Sequence, residues 1–187
     1  GTDTLFHAIL LCQNNTGYRN LTKLVSRAYQ QGQVLGLPRV QREWIKEFSE
    51  GVIMLSGGRD GDVGQAMLSG NQELADKRLQ EWLETFPDRY YLELQRTGRD
   101  GEEDYIHAAI DLALAHDIPV VATNDVRFTA ESDFASHEAR VCIREGYVLA
   151  DPKRPKRYSP QQYLRTGDEM AELFADIPSA ISNTVEI

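Results

Sequence analysis

Apolar residues in this chain fall into two patterns, short unbroken blocks and longer stretches with a helical repeat. Val52 to Leu55, Tyr90 to Leu94 and the block that begins at Val120 are short, rich in branched or aromatic side chains, and bounded by turn residues. Such blocks are expected of strands covered on both faces, as in parallel sheets. Leu5 to Cys12 reads as a further strand, placing Leu5, His7, Ile9 and Leu11 on one face. Between these blocks, Leu21, Leu24, Val25 and Ala28 recur at helical spacing, as do Leu74, Leu79, Trp82, Leu83 and Phe86. The first set predicts a helix with Thr16 as its N-cap; the second predicts a helix from about Asn71 to Phe86, stopped by Pro87-Asp88. Gln41 to Phe48 reads as a short helix and Gly32 to Pro38 as a loop. A helix from Glu102 to His116 opens with Glu102 and Glu103, which favour the positive helix end.

The βαβα order points to an α/β fold with mostly parallel strands. After Phe128 the pattern changes to a helix from about Phe134 to Glu145, a proline-rich loop, and helices near Asp168 to Phe174 and Pro178 to Ile187. The chain thus reads as one domain, 1–187, with a βα part over 1–128 and a helical and loop part over 129–187. No internal repeat is visible. Four strands make a thin sheet with two open edges, and both ends of the sequence read as cuts in a longer polypeptide.

Composition narrows the function classes. A net charge of −9 excludes a chain that clings to nucleic acid over its whole surface. The charge is uneven, however, with seven basic and two acidic residues between Ala139 and Arg165. Cys12 and Cys142 lie far apart in apolar contexts, which predicts buried, reduced thiols and a cytoplasmic protein. No apolar run approaches the roughly 20 residues that span a bilayer, and no signal-peptide pattern opens the chain.

The chemistry-bearing candidates are few. Val120 to Phe128 reads as a buried strand that delivers Asp125 at its end, where ligands collect in α/β folds. Arg127, two residues on, is a permanent cation that donates no lone pair and repels a divalent ion. Asp125 is either a ligand-type carboxylate or a cap for the segment that follows. His7 is either a satisfied histidine of an apolar strand or a ligand. Gly57-Gly58-Arg59-Asp60-Gly61-Asp62 lacks the lysine and hydroxyl of a P-loop and the alternating oxygens of a calcium loop, so it reads as a turn into the next helix. Lys153, Arg154, Lys156 and Arg157 crowd around Pro155, either as a solvated loop or as a binding patch flanked by Tyr147 and Tyr158. His137-Glu138 has no second histidine at helical spacing, and no complete catalytic constellation is present.

Several blocks carry a family resemblance. Cys12-Gln13-Asn14-Asn15-Thr16-Gly17-Tyr18-Arg19-Asn20-Leu21, Leu55-Ser56-Gly57-Gly58, Phe86 to Leu94, Val121-Ala122-Thr123-Asn124-Asp125 and Tyr158-Ser159-Pro160 occur in order along nearly the whole chain. Together they resemble the PHP (polymerase and histidinol phosphatase) domain of bacterial replicative DNA polymerase III alpha subunits, in its proteobacterial form. The resemblance implies a distorted (β/α)7 barrel, incomplete here because its first strands and their histidine pair are missing. It also implies a metal cluster at the strand ends of metal-bearing relatives. His7 then matches a ligand histidine and Asp125 a ligand aspartate, while Gly58 and Arg127 fall where relatives carry ligand side chains. Two of four ligands from this region are gone, so the resemblance implies a vestigial site with no catalytic residue, no bound metal and no cofactor, and Arg127 paired with Asp125. The implied role is a scaffold within a DNA-directed DNA polymerase and a docking surface for the proofreading exonuclease and other holoenzyme subunits. DNA would be met through the parent enzyme and no membrane is involved. An active metal-dependent phosphoesterase or 3′–5′ exonuclease is the alternative, and a DNA contact through the Ala139–Arg165 stretch is a third reading.

Overall fold

Every residue of Val52–Leu55 (β4) is buried, because this strand has a neighbour on each side and cover on each face. A computed structural model describes residues 4–187. The sheet order is β1-β4-β5-β6, with β1 Ile9–Cys12, β5 Tyr90–Gln95 and β6 Val120–Thr123. Pairings β4–β5 and β5–β6 are parallel, each bridged by helices as a parallel connection requires. β1 departs from the parallel expectation: it runs antiparallel to β4, with Ile9 opposite Leu55 and Cys12 opposite Val52. The excursion between them leaves and returns at one end of the sheet, where the Gln13 N–H donates to the Gly51 carbonyl at 2.9 Å. A return to the starting end dictates the antiparallel sense.

That excursion comprises α1 (Asn15–Gln31), a two-stranded ribbon of β2 (Gln33–Val34) and β3 (Leu37–Pro38), and α2 (Arg42–Glu47). The ribbon occupies what the sequence reads as plain loop. Asn14, not Thr16, caps α1; its extended backbone lets the side-chain oxygen accept from the Gly17 N–H at 3.0 Å, whereas Thr16 lies inside the helix. Gly17 is a packing requirement. A Cβ there would lie 1.7 Å from the Gly51 carbonyl oxygen.

After β4 a 3₁₀ turn (Gly58–Asp60) leads into α3 (Asp62–Leu68), then α4 (Gln72–Thr85) reaches β5 and α5 (Glu102–His116) reaches β6. The turn reading of the Gly57–Asp62 segment holds, but α3 is too short for Val63, Ala66 and Met67 to announce a period. α6 (Phe134–Glu145), α7 (Gly167–Leu173) and α8 (Pro178–Ser182) follow, and the last helix is shorter than its pattern implies, ending in a 3₁₀ turn at Asn183–Val185.

Strand alternation divides the sheet into unlike faces. Val52, Met54, Leu92, Leu94, Val120 and Ala122 form the large core with α3, α4, α5, Phe174 and Ala180. Ile53, Leu55 and Val121 form a small cluster on the other face, with Leu11 and Tyr91 against it. Further along that face the side chains become polar: Glu93 and Gln95 on β5, Thr123 on β6. Arg96, just past β5, joins the C-terminal part to the sheet by pairing with Asp176 at 2.6 Å, donating to the Leu173 carbonyl, and lying over the Phe174 ring. Cys142 is buried as expected, whereas Cys12 is exposed, because β1 is the outer strand of the sheet.

Candidate functional site at the ends of the parallel strands

The chain leaves β6 through a turn fixed by Asn124, whose buried side-chain amide donates to the Gln161 and Tyr163 carbonyls at 2.9 and 2.7 Å. Arg127 N–H donates to the Gln162 carbonyl, and Phe128 forms a bridge with Tyr163, so residues 124–128 lie along the 161–164 segment. Asp125 adopts a left-handed backbone (φ 41°), which turns its carboxylate back over the strand ends.

Three neighbours hold that carboxylate. Arg127 Nη2 lies 2.8 Å from one oxygen; Arg99 Nη1 at 3.3 Å and the fully buried Gln162 amide at 2.8 Å reach the other. Arg99 is itself fixed, donating to Glu102 at 3.0 Å, the Thr97 hydroxyl at 2.9 Å and the Gln95 side-chain oxygen Oε1 at 3.0 Å. Beneath it, Glu93 Oε1 accepts from Gln95 and from Thr123, while Glu93 Oε2 has no hydrogen-bond partner. Burial raises the Glu93 carboxyl above the ordinary glutamate range, and the Thr123 and Gln95 hydrogen bonds offset part of that.

The four positions that the family resemblance matched to metal ligands fare differently. Gly58 opens the 3₁₀ turn with φ 59°, and a Cβ there would meet the Gln95 and Glu93 atoms at 3.5–3.6 Å, so it faces the polar end of the sheet without offering a donor. His7 is neither in a strand nor in the core. Its N–H donates to the Asp60 carbonyl at 2.9 Å, which draws residues 5–8 across the loop after β4 instead of along a sheet partner, and its ring is exposed. His7 and Arg127 line one cleft of about 680 Å³, with Arg59, Arg99, Lys156 and Arg157. Asp125 is attached to that cleft through Arg127 and Arg99. Among the described residues, no three or more His, Cys, Asp or Glu side chains are grouped to hold a metal ion. The donor set does not suit a divalent cation: the one carboxylate is already paired with two guanidiniums, and the neighbouring position is a glycine.

The basic stretch is not one patch. Arg154 is half-buried and pairs with the buried Glu138, Arg157 pairs with Glu145 at 2.6 Å, Lys153 is exposed, and Lys156 and Arg157 line the cleft. Tyr158 packs edge-on to the His137 ring, with centroids 4.7 Å apart, and lies under the Arg127 guanidinium. Sequence reasoning missed Arg99, Gln162 and Glu93. A signal for Arg99 existed: Arg-Asp-Gly follows β4 as residues 59–61 and recurs after β5 as residues 99–101. The two loops bond to each other, Arg59 to the Asp100 carbonyl and Arg99 to the Asp60 carboxylate at 3.7 Å.

Comparison with known proteins agrees with this architecture. The chain is 58% identical over 185 residues to the DNA polymerase III subunit alpha of Escherichia coli strain K12, and 52% identical over 185 residues to that of Vibrio cholerae serotype O1. It is 54% identical over 178 residues to the same subunit of Pseudomonas fluorescens. These matches cover 95–99% of this chain but only 15–16% of the relatives' own length. A profile of the PHP domain family matches residues 1–97, from β1 through β5. The chain belongs to the PHP domain family.

Proposed function

We propose that this chain is the PHP part of a replicative DNA polymerase alpha subunit, and that it acts as a metal-silent scaffold and as the docking surface for the proofreading exonuclease subunit. The polymerase context rests on the identity to alpha subunits along nearly the whole chain. In that reading the four-stranded sheet is a section of a distorted (β/α)7 barrel, residues 1–128 and 129–187 form one unit, and the chain works in the cytoplasm beside the other holoenzyme subunits. No described helix is long and apolar enough to cross a membrane.

The observation that carries metal silence is the engagement of Asp125 by Arg127, Arg99 and Gln162. A hydrolytic cluster needs several nitrogen and oxygen donors per cation. Here the surviving carboxylate neutralises arginines instead. The test is hydrolysis of a chromogenic phosphodiester with manganese or zinc supplied. Turnover no faster than the buffer is expected; chelator-sensitive turnover that Asp125→Asn abolishes would establish an active phosphoesterase or exonuclease instead. For the docking role, the chain is expected to co-elute with the exonuclease subunit in gel filtration, and separate elution at micromolar concentrations would count against it.

A further inference from the structure

The sequence Gly-Arg-Asp-Gly occurs twice, as residues 58–61 and 98–101, each time followed by an acid, and it contains both Asp-Gly steps of the chain. At such a step the side-chain carboxyl reaches the next backbone nitrogen readily, because glycine has no Cβ to shield it. The neighbours being alike, the intrinsic reactivity of the two steps is alike, and a difference between them comes from the fold. The fold treats them oppositely. The Gly61 N–H donates to the Gly58 carbonyl at 3.1 Å, and a Cβ on Gly61 would lie 1.9 Å from the Ser56 carbonyl oxygen. Asp60 is half-buried and lies 3.7 Å from Arg99, while its main-chain carbonyl accepts from the His7 N–H. At the second step Asp100 and Gly101 are exposed, and a Cβ on Gly101 would meet nothing within 4 Å. Among the described residues, the Gly101 N–H has no acceptor and the Asp100 carboxylate has no ion-pair partner. Asp100 is held through its main-chain carbonyl, which accepts from the Arg59 guanidinium.

We infer that Asp100 is a site of spontaneous isomerisation to isoaspartate, that Arg59 directs the reaction to that product, and that Asp60 is protected from it. In the first step the Gly101 nitrogen forms a bond to the carboxyl carbon of the Asp100 side chain. The bond from that carbon to its hydroxyl breaks, and the hydroxyl leaves with the nitrogen's proton as water, closing a succinimide ring. In the second step water adds to the main-chain carbonyl carbon of residue 100, and the bond from that carbon to the Gly101 nitrogen breaks. The hydroxyl stays on the carbon and the proton goes to the nitrogen. One water leaves and one enters, so the mass is unchanged and no oxidant or reductant takes part. As water adds, negative charge gathers on the main-chain carbonyl oxygen, which is the atom that the Arg59 guanidinium faces. The backbone then runs through the former side chain, one methylene longer, and a free carboxylate stands against Arg59. The added length falls between Arg99, which holds Asp125, and the start of α5.

The test is prolonged warm incubation of the purified 187-residue chain in mildly acidic buffer, folded and in denaturant, followed by digestion. Isoaspartate is then counted at each step by electron-transfer fragmentation of the two peptides, which separates the isomers at equal mass. In the folded chain, isoaspartate at Asp100 should exceed that at Asp60 about tenfold, since Gly61 must first break a hydrogen bond and leave its packing. In denaturant the two steps should react alike. Arg59→Gln should lower the ratio of isoaspartate to aspartate formed from the Asp100 succinimide about fivefold, with melting temperature unchanged. That ratio is read by trapping the succinimide and following its hydrolysis in the folded chain. Equal accumulation at both steps in the folded chain, or none at Asp100 while the denatured chain reacts, overturns the inference. A ratio that ignores Arg59→Gln overturns the part assigned to Arg59.

Discussion

A carboxylate coordinates a divalent ion through lone pairs that must be free when the ion arrives, and the Asp125 carboxylate is already engaged by Arg127, Arg99 and Gln162. Releasing them would leave two guanidiniums facing an incoming cation. Glu93 lies deeper and is in the opposite condition, with one oxygen doubly bonded and the other buried without a partner. Its raised pKa means that the folded state favours the protonated form. The resulting penalty is absent below the ordinary glutamate value and grows as pH rises from there through the folded value. Glu93→Gln keeps Oε1 as acceptor and removes the charge. The variant should melt within a degree or so of the parent near about pH 4 and roughly 2–4 °C above it near about pH 8. A pH-independent difference would show that burial does not raise the Glu93 carboxyl. Arg154→Ala leaves the buried Glu138 carboxylate without its cation and should lower the denaturant midpoint, whereas Lys153→Ala, on the exposed side of the same run, should leave it unchanged.

The elements show which parts of a sequence speak for themselves. Helix α5 and strand β4 occupy the residues that their patterns imply, because each is apolar on the side that faces the large core. The first strand was legible only in its second half. Residues 5–8 alternate as a strand does, yet their backbone bonds to the Asp60 loop, a partner 53 residues away that no local pattern announces. The cap of α1 was ambiguous because Asn14 and Thr16 are both competent caps, and the deciding factor is the close approach of Gly17 to Gly51. Asn14→Ala should cost about 1 kcal/mol in urea denaturation. Gly17→Ala should cost about 3 kcal/mol or more, since backbone and not a flexible side chain stands in its way. A loss under 1 kcal/mol for Gly17→Ala would mean that α1 can shift along the sheet. At the site, Asp125 and Arg127 were legible together because they lie two positions apart just past a strand end. Arg99 and Gln162 were not, since they lie 26 and 37 positions from Asp125 and only the fold closes those distances.

For the molecule as a whole, the sheet is mostly parallel, and the ends of its parallel strands carry arginines. Packing is retained: the large core runs unbroken from β4 to Ala180, and Arg96 clamps the C-terminal helices to it. The polar margin of the opposite face is built differently: Gly58 offers no donor there and Arg127 brings a cation. The scaffold role proposed above needs the first and is indifferent to the second, so the metal silence proposed with it is compatible with an intact fold. Titration of the purified chain with manganese, followed by elemental analysis after gel filtration, tests this most directly. The account predicts metal far below one ion per chain, unchanged by Asp125→Asn. Manganese or zinc retained at one ion or more per chain, and lost in that variant, would contradict it.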